Sequence, residues 1–192
     1  GTLIERGSLL GFPDVLKEAI REVREREILF SIASGRDRHF LKSLQENLFG
    51  MKKQRSCEAL IYEDVCIQFG THETVVLGGL RTERLEEING LYVQHPHLFA
   101  GLVPLPENKF TIRTSWVTKE FAEGNRTNTK TLISRYDYLR ELIEPQFNEA
   151  EVRLSSDAID VVARGMHKGI GIRGYFSLLS ERSHLSPQDA LG

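Results

Sequence analysis

The stretch Ser31-Ile32-Ala33-Ser34-Gly35-Arg36-Asp37, SIASGRD, carries the reading of the fold. It follows the apolar triplet Ile28-Leu29-Phe30 and sets small residues and one cation at the end of a predicted strand. Two readings compete. In the first, Ser34-Gly35 only turns the chain and Asp37 caps the next helix. In the second, the Ser34 hydroxyl and nearby backbone N–H groups receive a phosphate, Gly35 lets the backbone approach, and Arg36 adds a charge-assisted contact. Short strand–turn–helix joints are common, so the stretch alone favours the first reading.

The flanking pattern is that of an α/β protein. Residues 13–27 place Val15, Leu16, Ala19, Ile20 and Val23 at helical spacing, with Pro13 suited to the first turn. The charge run REVREREI within them reads as a solvated helix face. Residues 37–48 repeat the helical spacing through Phe40, Leu41, Leu44 and Leu48. Two short strands are expected at 59–62 and 65–69. Helix, strand, helix, strand predicts a parallel sheet with helices packed on it.

The middle of the chain differs. A helix is expected over 80–94, strands over 100–104 and 110–116, a long helix over 129–146, and strands over 151–155 and 158–163. That order predicts an α+β unit with an antiparallel sheet, inserted into the first fold. The expected division is 1–68 and 160–192 for the first unit and 69–159 for the insert.

Bulk properties narrow the function. In 192 residues, 40% are hydrophobic, 27% are charged and the net charge is −2. Such a composition is that of a soluble globular protein. No global basic field points to nucleic acid. Two cysteines, Cys57 and Cys66, make no disulfide framework or zinc set, and a cytoplasmic, reduced protein is expected. No apolar run approaches the roughly 20 residues of a membrane helix. The oligomeric state is left at monomer or homodimer.

Two further stretches carry chemistry. Lys168, followed by glycine at a strand-to-helix junction, can offset phosphate charge. Taken alone, it reads more readily as an ordinary solvated lysine. Gly169, Gly171 and Gly174 also spell the dinucleotide fingerprint G-x-G-x-x-G. The context argues against a nucleotide. Residues 164–168 separate the strand from the first glycine, and Asp189 lies before the next strand rather than at its far end. His95 and His97 flank Pro96 without further ligands at a metal spacing, and His167 reads as a surface residue.

These features together resemble the haloacid-dehalogenase superfamily of phosphatases, in the Cof-like subclass with a large α+β cap between the second and third motifs. Gly1-Thr2-Leu3 is similar to the tail of that family's opening DxDGT(L/I/V) motif. Ser34-Gly35-Arg36 matches its (S/T)GR motif, and Lys168-Gly169 its lysine-opened helix. The resemblance implies a Rossmann-like parallel-sheet core with an inserted cap. It also implies a Mg²⁺-dependent phosphatase working through an aspartyl phosphate.

By the same resemblance, Ser34, Gly35, Arg36 and Lys168 would hold the phosphate, with Lys168 also catalytic, and Gly1 and Thr2 would lie beside the nucleophile. Arg113, Arg126 and Arg153 are cap residues that would contact an acidic substrate. The chain departs from the family at Glu63–Cys66, where many relatives have Glu-Asn-Gly. It also lacks the DxD and GDxxxD carboxylates that attack phosphorus and hold Mg²⁺. Of two explanations, a fragment of a longer protein is expected over an inactive relative that binds phosphate esters. The expected substrate is a small soluble phosphomonoester such as a sugar phosphate or a phosphoglycolate-like acid, with a binding or regulatory module and a phosphomutase as alternatives.

Overall fold

The computed structural model describes residues 13–49, 57–70, 73–105, 113–125 and 129–183. They fall into two units: Gly1–Leu77 with Lys168–Gly192, and Gly78–His167.

The first unit begins with helix α1, Asp14–Glu25. Ile20 is buried and Leu16 and Val23 are half-buried, whereas Val15 stands 81% exposed. The run REVREREI is not wholly solvated. Arg24 is buried and donates Nε and Nη2 to the two carboxylate oxygens of Glu58, at 2.9 and 2.8 Å. A bidentate fork satisfies the charge that burial would otherwise make costly.

Strand β1 is only Ile32–Ala33, shorter than the expected strand. Helix α2, Arg38–Phe49, follows, with Leu41, Leu44 and Leu48 buried. Strands β2, Ala59–Tyr62, β3, Cys66–Phe69, and β4, Glu73–Val76, complete a sheet of order β1-β2-β3-β4. The β1–β2 pair is parallel, while β2–β3 and β3–β4 are antiparallel. The parallel reading therefore holds for the pair that carries SIASGRD, and the other strands form hairpins. Strand β4 is additional to the expected elements.

Helix α6, Lys168–Ser183, packs on β1, β2 and β3. Its buried residues Gly171, Tyr175 and Leu179 recur every four positions, as one helix face requires. Tyr175 and Leu179 join Ala59, Ile61, Ile67 and Phe69 in the unit's core.

The second unit has helices α3, Thr82–Gln94, α4, Lys119–Ala122, and α5, Thr129–Ile143. Its strands are β5, Leu102–Leu105, β6, Arg113–Thr118, β7, Ala150–Leu154, and β8, Ala158–Ala163. They form an antiparallel sheet of order β5-β6-β8-β7. Trp116, Val152, Ile159 and Val161 face a core with Ile88, Leu132, Leu139 and Ile143 from α3 and α5. Ile133, expected on the apolar side of α5, is 59% exposed.

The division between units moves from 68/69 and 159/160 to 77/78 and 167/168. The physical reason is strand pairing. Strand β4 completes the hairpin with β3, and β8 lies between β6 and β7 instead of returning to the first sheet. The strand expected near residue 190 lies outside the described residues.

Candidate functional site

The chain leaving β1 is bonded to the β2–β3 turn. The Ser34 N–H donates to the Ile61 carbonyl at 2.8 Å, extending the parallel ladder. The Asp64 N–H donates to the Ser34 carbonyl at 3.4 Å, and the Glu63 N–H to the Arg36 carbonyl at 3.0 Å. Glu63 and Asp64 are buried and both lie in the left-handed region, with φ 49° and 70°. Asn-Gly is what such a turn ordinarily takes, because a Cβ meets steric strain in the left-handed region, which Asn tolerates and Gly avoids. The departure at Glu63–Cys66 is thus a departure at a conformationally demanding turn that holds the SIASGRD loop.

Both readings of SIASGRD find support. Asp37 caps α2, since its Oδ1 accepts the Phe40 N–H at 2.9 Å. Ser34 Oγ accepts the Arg36 N–H at 3.2 Å, which leaves its hydroxyl proton available to an anion. The Arg36 guanidinium lies 5.5 Å from the Phe40 ring centroid, on an exposed residue.

Helix α6 reaches this loop from the other side. A Cβ added at Gly171 would lie 2.2 Å from the Asp64 carbonyl oxygen and 2.7 Å from Ile61 Cγ2. At Gly174 it would lie 2.2 Å from Leu77 Cδ1. The glycines of G-x-G-x-x-G are therefore inside a helix, where two of them let it lie against a turn and a side chain. They do not form a nucleotide loop.

Register then levels Lys168 with Ser34. The Ser31 hydroxyl donates to Tyr175 Oη at 3.0 Å, which fixes one point of β1 against one point of α6. From Ser31 to Ser34 the strand advances three residues, about 10 Å. From Tyr175 back to Lys168 the helix spans seven residues, about 10.5 Å. Gly171, lying against Ile61 and Asp64, shows that the two run in opposite senses. Lys168 thus stands at the carboxyl end of β1, where ligands bind in open α/β sheets. It is exposed and makes no ion pair with any described residue.

The remaining candidates are placed differently. Gly1, Thr2 and Arg126 lie outside the described residues. Arg113 and Arg153 are in the second unit, on the sheet face opposite Trp116, and both already face acids. Arg153 donates Nε and Nη2 to the Glu151 carboxylate, each at 3.0 Å. That fork, with smaller help from the Gly165 N–H, holds the Glu151 carboxyl below its ordinary range. Arg113 Nη1 lies 4.0 Å from Asp160 Oδ2, and the Ser115 hydroxyl donates to Asp160 Oδ1 at 2.5 Å. Burial pushes the Cys66 thiol up to about 12, so it is no nucleophile at neutral pH.

No group of three His, Cys, Asp or Glu side chains among the described residues converges as a metal would need, His95 and His97 included. These residues do not fit Mg²⁺ by themselves. No helix among them is long and apolar enough to cross a membrane.

No family model and no curated protein matches the sequence. Solved structures do. The C-terminal domain of Candida albicans trehalose-6-phosphate phosphatase superposes with a TM-score of 0.55 at 18% identity, over 84% of this chain and 49% of that one. The C-terminal domain of the Candida albicans trehalose synthase regulatory protein gives 0.59 at 14%, over 88% and 56%. Synechocystis sucrose-phosphatase, in complex with sucrose and phosphate, gives 0.54 at 17%, over 96% and 67%. The chain has the haloacid-dehalogenase fold. It spans about half the length of the two Candida structures.

Sequence reasoning missed the bond between Ser31 and Tyr175. A signal existed for Tyr175, which lies on the core stripe seven residues after Lys168.

Proposed function

We propose that the chain binds the phosphoryl group of a small phosphomonoester at the carboxyl end of β1, as the phosphate-holding part of a phosphatase. The observation that carries this reading is the Ser31–Tyr175 bond, which with Gly171 against Asp64 supports an antiparallel α6 whose first turn nears the Ser34 loop. Ser34 Oγ–H would donate to one phosphoryl oxygen. The Gly35 backbone allows close approach, and Lys168 would offset charge as it builds on the transferring group. Arg36, exposed at the same loop, would add a cation.

In this proposal the described residues hold the phosphate, and the nucleophile and metal-holding carboxylates are not among them. Neighbours of this fold include a trehalose-6-phosphate phosphatase and a sucrose-phosphatase. A sugar phosphate is therefore preferred to a phosphoglycolate-like substrate.

The test is inorganic phosphate release from sugar phosphates and phosphoglycolate with Mg²⁺, using the chain extended beyond both ends. Release from at least one sugar phosphate is expected. No release from any ester contradicts hydrolysis. A second reading, a phosphate-ester-binding regulatory protein, draws support from the neighbour described as a regulatory protein. Saturable ester binding without release by the extended chain would favour it.

A further inference from the structure

Tyr175 sits at the centre of a closed chain of hydrogen bonds. The Ala59 N–H donates to Ser31 Oγ at 3.0 Å, Ser31 donates to Tyr175 Oη at 3.0 Å, and Tyr175 donates to the Cys57 carbonyl at 2.9 Å. The tyrosine is 5% exposed, and its ring stacks on Phe69 at 5.8 Å between centroids. Burial raises its pKa, so the phenol keeps the proton it donates.

A second directional tie, from Arg182 in the last turn of α6 to Glu73 and over the Phe69 ring at 4.2 Å, is more exposed and stands farther along the helix from Lys168. Ile172, Phe176, Leu178 and Leu179 make apolar contacts, which are non-directional and tolerate small slides. Gly171 and Gly174 permit close approach but offer no side-chain bond. The Tyr175 hydroxyl does, because a hydrogen bond weakens steeply when its partner shifts or tilts.

We propose that Ser31 and Tyr175 are positioning residues that hold Lys168 level with Ser34. The inference rests on the phosphate-site reading and adds to it a control point about 10 Å from the anion. Losing the Tyr175 hydroxyl removes the buried directional tie nearest Lys168 and loosens the height of the first turns of α6 against β1. Lys168 then moves relative to the Ser34 loop, although neither residue is altered. Misplacement of about 1 Å at a reacting centre can cost about a hundredfold in rate, so a smaller loss in simple phosphate affinity is expected.

The experiment titrates inorganic phosphate into the protein and compares the wild type with Tyr175→Phe, Ser31→Ala, the double variant and Ser34→Ala. Thermal unfolding is recorded alongside. Tyr175→Phe keeps the ring and its stacking, and Ser31→Ala provides a second route should the first variant fold poorly. Each single change should weaken phosphate affinity roughly tenfold, and the double variant should be no weaker than the worse single one, as coupled members of one network behave.

A purely structural role would lower the unfolding temperature and leave the phosphate Kd of the folded protein unchanged. That result overturns the inference while Ser34→Ala still weakens binding. If the wild type binds no phosphate, or Ser34→Ala binds as the wild type does, the phosphate-site reading falls and the inference falls with it.

Discussion

The two units use the same two devices, an arginine–carboxylate fork and a glycine within a helix, in opposite surroundings. Arg24 and Glu58 of the first unit form a fork whose side chains are 10% and 1% exposed. Arg153 and Glu151 of the second form a fork of similar length with side chains 30% and 32% exposed. In α6, Gly171 touches a backbone carbonyl, while in α3 a Cβ at Gly90 would meet nothing within 4 Å. Chemistry is shared and burial differs, so identical substitutions should give different results. A residue type thus carries little energetic meaning until its surroundings are known.

The fork comparison should show the largest effect. Glu58→Ala leaves Arg24 buried without its carboxylate and should cost about 3–5 kcal/mol. Glu151→Ala should cost below about 1 kcal/mol, because solvent screens that pair. Urea unfolding followed by circular dichroism measures both, and equal costs would break the comparison.

The glycines come next. Gly171→Ala places a methyl against the Asp64 carbonyl, which cannot rotate away as a side chain can, and should destabilise by about 1–3 kcal/mol. Gly174→Ala meets the ends of the Leu77 and Ile67 side chains, which can shift, and should cost less. Gly90→Ala should stabilise by up to about 1 kcal/mol, since alanine improves an open helix position. Trp116, the only tryptophan, lies in the second unit's core, and its fluorescence isolates the Gly90 effect. A destabilised Gly90→Ala would show that α3 has a close neighbour there.

The smallest expected effect is a dependence on pH. The Glu151 carboxyl is held below its ordinary range, chiefly by the Arg153 fork. Its contribution is therefore present above the unfolded-state glutamate pKa and is lost as pH falls through the lower folded value. The stability difference between wild type and Glu151→Gln, measured by unfolding across that acid range, should shrink toward zero. A difference that grows with acid would reverse the assignment.

Much of this architecture was legible from periodicity and motif order. The helices α2, α3 and α5 follow apolar spacing, and β8 appears at its expected residues. What escaped has physical reasons. Strand β4, Glu73–Val76, is four residues long with exposed ends and a half-buried middle, so it lacks the apolar run that marks β2 and β3. Arg24 looked solvated because its partner Glu58 is 34 residues away. Strand pairing, which local pattern does not reveal, puts β8 between β6 and β7.

The candidate site was legible in its residue types but not in its support. Ser34, Gly35 and Lys168 could be chosen from motif order. The bond between Ser31 and Tyr175 joins positions 144 residues apart, which no local spacing can reveal. Gly171 and Gly174 were visible as a motif, yet their use became clear only with Asp64 and Leu77 beside them.

The central claim is that Lys168 and the Ser34 loop hold one phosphate. A titration of inorganic phosphate into the wild type and Lys168→Met, at low ionic strength, tests it most directly. Lys168 is exposed, so the substitution should leave folding intact. The account predicts saturable binding by the wild type and affinity weaker by about tenfold or more in the variant, as loss of a charged hydrogen-bond donor implies. Equal affinity in the two proteins would contradict it.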